Sequence, residues 1–66
     1  MIEFTKLNRE PVLINPLQIE YIEVIPESKI IMMNGKFHIV EESKDEIVQT
    51  VKDYYTSIFN GEMQEE

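Results

Sequence analysis

Apolar and polar residues alternate from Ile2 to Lys6, the period of a half-buried strand. Leu7-Asn8-Arg9-Glu10 is polar and turn-like. Val12-Leu13-Ile14 predicts a second short strand, with Pro11 tolerated at its first position. Asn15-Pro16-Leu17-Gln18 predicts one capped helical turn. Asn15 accepts from a free N–H, Pro16 suits the first helical position, and Gln18 reaches back as in a capping box. Ile19 to Ile25 is rich in β-branched residues and predicts a third strand, broken by Pro26-Glu27-Ser28.

Two apolar runs within Lys29 to Val40 flank Asn34-Gly35, the preferred pair of a two-residue type I′ hairpin turn. That turn sets Met33 opposite Lys36, Met32 opposite Phe37, Ile31 opposite His38 and Ile30 opposite Ile39. Ile30, Met32, Phe37 and Ile39 then share one wholly apolar face. The other face carries Lys29, Ile31, Met33, Lys36, His38 and Val40. Ser43 and Glu46 form a capping box, and Asp45 and Glu46 suit the positive end of a helix dipole. The helix spans about residues 43–59. Ile47, Val48, Val51, Tyr54, Tyr55, Ile58 and Phe59 make its wide apolar stripe, and Asn60-Gly61 is a stop signal.

These elements predict an α+β fold: a small antiparallel sheet of about five short strands with one C-terminal amphipathic helix packed on it. Residues 1–61 form a single β-rich domain, and 62–66 are an acidic, frayed tail. The helix stripe covers one sheet face. The second face is left apolar, which makes Tyr21, Ile25, Ile31, Met33, His38 and Val40 a candidate interface. Closure of the sheet into a partial barrel is the competing way to cover it.

With 66 residues the core is small, and a chain of this length gains little beyond its ordering entropy. It has no Cys, so neither a disulfide nor a thiolate metal site reinforces it, and a homo-oligomer is the expected remedy. The net charge of −7 speaks against phosphate-driven nucleic-acid binding. Most of that charge falls after residue 40, where the acids can attract a basic partner, with Glu42, Asp45 and Glu46 at the helix start. No apolar run approaches the ~20 residues that span a bilayer and no signal peptide opens the chain, so a cytoplasmic protein is expected. His38 is the lone histidine and lacks a partner set for catalysis or metal binding. The carboxylates are explained by capping and solvation, and the two glycines by turns. No catalytic, metal or cofactor residue is assigned.

The order Leu7-Asn8, Asn15-Pro16, Ile19-Glu20, Ile22-Glu23, Pro26, Asn34-Gly35-Lys36, Val40, Glu42-Ser43 and Glu46-Ile47 resembles the small flagellar FlbD family, also called the swarming-motility SwrD family. The similarity covers about residues 1–59. Arg9 departs from it, standing where the family pattern has Gly after Leu-Asn. The resemblance implies a non-enzymatic motility accessory without cofactors. It would act by protein–protein contact, support the motor stator, and sit at the inner side of the motor through a membrane partner. The alternative is an RNA-binding regulator resembling the small β-rich carbon-storage regulator family, against which the charge speaks.

Overall fold

A computed structural model describes residues 1–61. Strands β1 (Ile2–Thr5) and β2 (Pro11–Ile14) form one antiparallel hairpin. A 3-10 turn, Pro16–Gln18, leads into β3 (Ile19–Glu23), β4 (Ser28–Met32) and β5 (Phe37–Val40), an antiparallel sheet in that order. Helix α1 (Lys44–Gly61) follows. The five strands and one helix are the expected α+β set, divided into two small sheets rather than one. The acidic tail expected at 62–66 lies outside the described residues.

A short backbone joint ties the two sheets together. Lys6 bridges Val40, the Glu41 N–H donates to the Thr5 carbonyl at 2.8 Å, and the Thr5 N–H donates to both carboxylate oxygens of Glu42 at 3.0 and 3.1 Å. The strands therefore run β2–β1–β5–β4–β3, with β2 and β3 at the free ends.

Both hairpins turn in the same way. In the first, the Arg9 N–H donates to the Lys6 carbonyl and the Lys6 N–H to the Glu10 carbonyl. In the second, the Gly35 N–H donates to Met32 and the Met32 N–H to Lys36. Each is a three-residue loop whose last residue lies in the left-handed region, Arg9 at φ 75° and Gly35 at φ 88°. The middle residue of each loop is Asn. Its carboxamide oxygen accepts from the N–H two positions on: Asn8 from Glu10, and Asn34 from Lys36.

The three-residue loop shifts the second hairpin by one position from the register expected of a two-residue turn. Ile31 stands opposite Phe37, Ile30 opposite His38, Lys29 opposite Ile39 and Ser28 opposite Val40. A one-residue slip exchanges the faces of one strand relative to its neighbour. Val40 and His38 therefore share the side of Ile30, and Phe37 and Ile39 share the side of Ile31. A bulge at Glu20 makes a second adjustment, since Ile19 pairs with Met32 but Tyr21 with Ile31. The extra residue reverses the alternation, so Ile19 and Ile22 both face the core although they are three apart.

The buried core is Ile2, Phe4, Ile14, Ile30, Val40 and Ile47, with Val12, Ile19, Ile22, Met32, Val51 and Tyr54 packed around it. The capping box forms as expected: the Glu46 N–H donates to Ser43 Oγ at 3.2 Å, and the Ser43 N–H to Glu46 Oε1 at 2.8 Å. Asn15 Oδ1 caps the 3-10 turn by accepting from the Leu17 N–H. Gln18 contributes through its backbone instead of its side chain, its carbonyl accepting from the Met33 N–H. Asn60 and Gly61 remain in the helix, so the expected stop signal does not act there.

The two loops give a paired prediction. A side chain in the left-handed region costs about 1–2 kcal/mol, partly offset on going to Gly by greater freedom of the unfolded chain. Arg9→Gly is expected to raise stability by roughly 0.5 kcal/mol, even though it removes the exposed 3.1 Å ion pair from Arg9 to Glu41. Gly35→Ala is expected to lower stability by about 1 kcal/mol through backbone strain alone, because an added Cβ meets nothing within 4 Å. Urea titration of both variants checks the opposite signs.

Candidate functional site

Eighteen helical residues reach about 27 Å, whereas strands of four or five residues reach only about 13–17 Å. The sheets can therefore cover only part of the helix stripe. Ile47 is sealed in the core, and Val51 and Tyr54 pack against it. Val48 and Ile58 keep substantial exposure, and Phe59 is 70% exposed. The stripe expected to bury itself against the sheet thus splits lengthwise, one flank in the core and the other outside.

Tyr55 is half-buried and links the outer flank together. Its ring stacks on Phe59, with centroids 6.3 Å apart and planes 12° apart, and meets Tyr54 edge-on at 6.0 Å. Val48, Tyr55 and Phe59 follow one another along one edge of the helix. Between that edge and β3 lies an apolar groove of about 230 Å³, lined by Pro16, Ile19, Ile22, Val48, Val51, Lys52 and Tyr55. It is smaller than the roughly 300–1,000 Å³ of ordinary cofactor and drug sites. An apolar cavity of about 150 Å³ is large enough for benzene, so the groove has room for a large apolar side chain.

The six residues of the candidate interface do not lie together. Tyr21 and Ile31 are cross-strand neighbours on the outer face of the β3–β5 sheet, and Phe37 joins them there. Ile31 is already 8% exposed without any partner, between the half-exposed Tyr21 and Phe37. Lys29 covers part of this face, its ammonium 4.8 Å from the Phe37 ring centroid and 3.9 Å from Glu23. Val40 is buried in the core instead, and His38 is half-buried on the core side. Met33 is exposed in the hairpin loop, and Ile25 is 84% exposed beyond the end of β3. The register shift is the physical reason that Val40 and His38 part from Ile31.

Phe37 was placed by the sequence on the covered face, and the groove was not foreseen. Its signal lay in the stripe itself: seven apolar positions are more than a short sheet can cover.

The charged groups are mostly engaged locally. Lys6 lies 3.9 Å from Glu10, Arg9 pairs with Glu41, and Lys29 with Glu23. Glu42 and Glu46 are occupied as acceptors for Thr5 and Ser43, so reversing them with Asp45 would disturb folding as well as charge. Among the described residues, no three His, Asp or Glu side chains converge as a metal set. Nor is any described helix long and apolar enough to cross a membrane.

A family model described as FlbD, flagellar and swarming motility proteins, matches residues 1–59. Searches of curated proteins and of solved structures returned no match.

Proposed function

The chain belongs to the FlbD family of flagellar and swarming motility proteins, and on that premise we propose that it is a non-enzymatic accessory of the flagellar motor. It acts by protein–protein contact at the cytoplasmic side of the motor, through a membrane-bound partner, and supports the output of the stator. The observation that carries the contact mechanism is the exposed Val48–Tyr55–Phe59 edge beside the β3 groove. Aromatic residues of this kind are enriched at protein interfaces, where large rigid rings fill pockets on a partner.

Deleting the gene in its flagellated host is expected to reduce swarm expansion and to lower single-motor torque at high load at least twofold, while flagellar number stays unchanged. The wild-type gene restores both. A Tyr55→Glu, Phe59→Glu chain that folds normally by circular dichroism does not. Full torque in the deletion strain would remove the proposed role, and full rescue by the double variant would remove this surface from it.

A further inference from the structure

Strand β3 is an edge. It pairs with β4 on one side, and among the described residues no strand lies on the other. An edge strand presents a row of backbone N–H and C=O groups that can take up another chain. The groove adjoins this edge, with Ile19 and Ile22 of β3 forming one wall and Val48, Val51 and Tyr55 of α1 the other. A strand added to β3 would lie about 4.7–4.9 Å from it. Every second side chain would then point toward the helix, where the groove has room for a large apolar group.

Charge narrows the occupant. From Glu10 to Ser28 the chain carries Glu10, Glu20, Glu23 and Glu27 and no base, so β3 and its flanks are purely acidic. Glu20 and Glu23 are exposed on β3 itself. Lys52 lines the opposite wall as the groove's single base among the described residues. A second copy of this chain would bring the same acids edge to edge, in a molecule of net charge −7. Like charges on an edge strand oppose that kind of self-pairing. A partner segment carrying Lys or Arg on one face and apolar side chains on the other meets both the acids and the groove.

We propose that β3 and the groove form a β-augmentation site for an extended segment of a partner protein, about five residues long, in which basic and apolar residues alternate. Backbone pairing with β3 supplies affinity, and the groove selects one large apolar side chain. The proposal rests on the protein-contact reading above and names the chemistry of that contact.

The full chain, immobilised, is panned against a phage-displayed library of random twelve-residue peptides. Enriched sequences are expected to alternate Lys or Arg with Val, Ile, Leu or Phe. The best of them, as a synthetic peptide, should shift the amide resonances of Ile19–Glu23 and of Val48 and Tyr55. N-methylation of alternate amides is expected to weaken it at least tenfold, because strand pairing loses its donors. Val48→Arg, at an exposed helix position, should weaken it tenfold or more with the fold intact, and Glu20→Lys about threefold. Binding should also fall as salt rises. Four outcomes would overturn the proposal: no enrichment, enrichment of helical i, i+4 patterns, indifference to N-methylation, or a light-scattering dimer that Val48→Arg dissolves, which would make a second copy the occupant. Failure here with a motility defect intact would leave the motor role standing without this site. Peptide binding with normal motility would do the reverse.

Discussion

Phe4→Ala is expected to remove about 3–5 kcal/mol of folding stability, the range for truncating a fully buried phenylalanine. Phe4 is 1% exposed and joins the β1–β2 hairpin to the rest of the core, alongside Ile2, Ile14, Ile30, Val40 and Ile47. Sixty-six residues at roughly 0.05–0.15 kcal/mol each hold only about 3–10 kcal/mol in total. The substitution therefore consumes much or all of it. Nothing on the other side of the ring can collapse easily, because the opposing residues come from four different elements. Urea denaturation followed by circular dichroism should show a lost or nearly lost transition. Leu13→Ala, on the exposed side of the same hairpin, should change stability by less than about 0.5 kcal/mol. A loss below about 1.5 kcal/mol for Phe4→Ala would mean that the hairpin is not packed on the second sheet.

Glu42→Ala carries the second large effect. The Glu42 carboxylate accepts the Thr5 N–H with both oxygens, at the one place where the two sheets are tied through their backbones. Truncation leaves that part-buried N–H without its acceptor, which costs about 1–3 kcal/mol. Glu42→Gln keeps a carbonyl oxygen in reach and should recover at least half of the loss. Hydrogen exchange at the Thr5 amide separates this local effect from general destabilisation. Its protection should fall in Glu42→Ala by more than that of the Ile30 amide, in the interior of the other sheet. A neutral Glu42→Ala would place the cohesion of the two sheets in side-chain packing alone.

The local sequence was easiest to read where a residue type and a backbone need coincide. Ser43 and Glu46 satisfy each other's N–H groups within four residues, and Asn15 caps its turn within two. Such bonds form wherever the rest of the chain goes. Asn34-Gly35 was locally ambiguous, since Gly35 fits a two-residue turn as well as the left-handed end of a three-residue loop. Leu7-Asn8-Arg9 adopts the same loop, but Arg is a poor marker of a left-handed position, so the sequence showed only a polar turn there. The shared Asn at the middle of each loop was the available signal. The bulge at Glu20 had none, because Ile19, Tyr21 and Ile22 read equally well in an unbroken strand.

The candidate site followed the same division. An excess of apolar surface was legible, but its position was not. Register moved Val40 into the core and Phe37 out of it, and the short strands left the outer flank of α1 uncovered.

By itself, then, the amino-acid order determined five short strands, a capped amphipathic helix and membership of a motility family, because periodicity, caps and motif spacing act over a few residues. Tertiary structure decided which faces are hidden. Hairpin register, the bulge in β3 and the Thr5–Glu42 joint each depend on partners far apart in the chain, and a shift of one residue along a strand exchanges inside for outside.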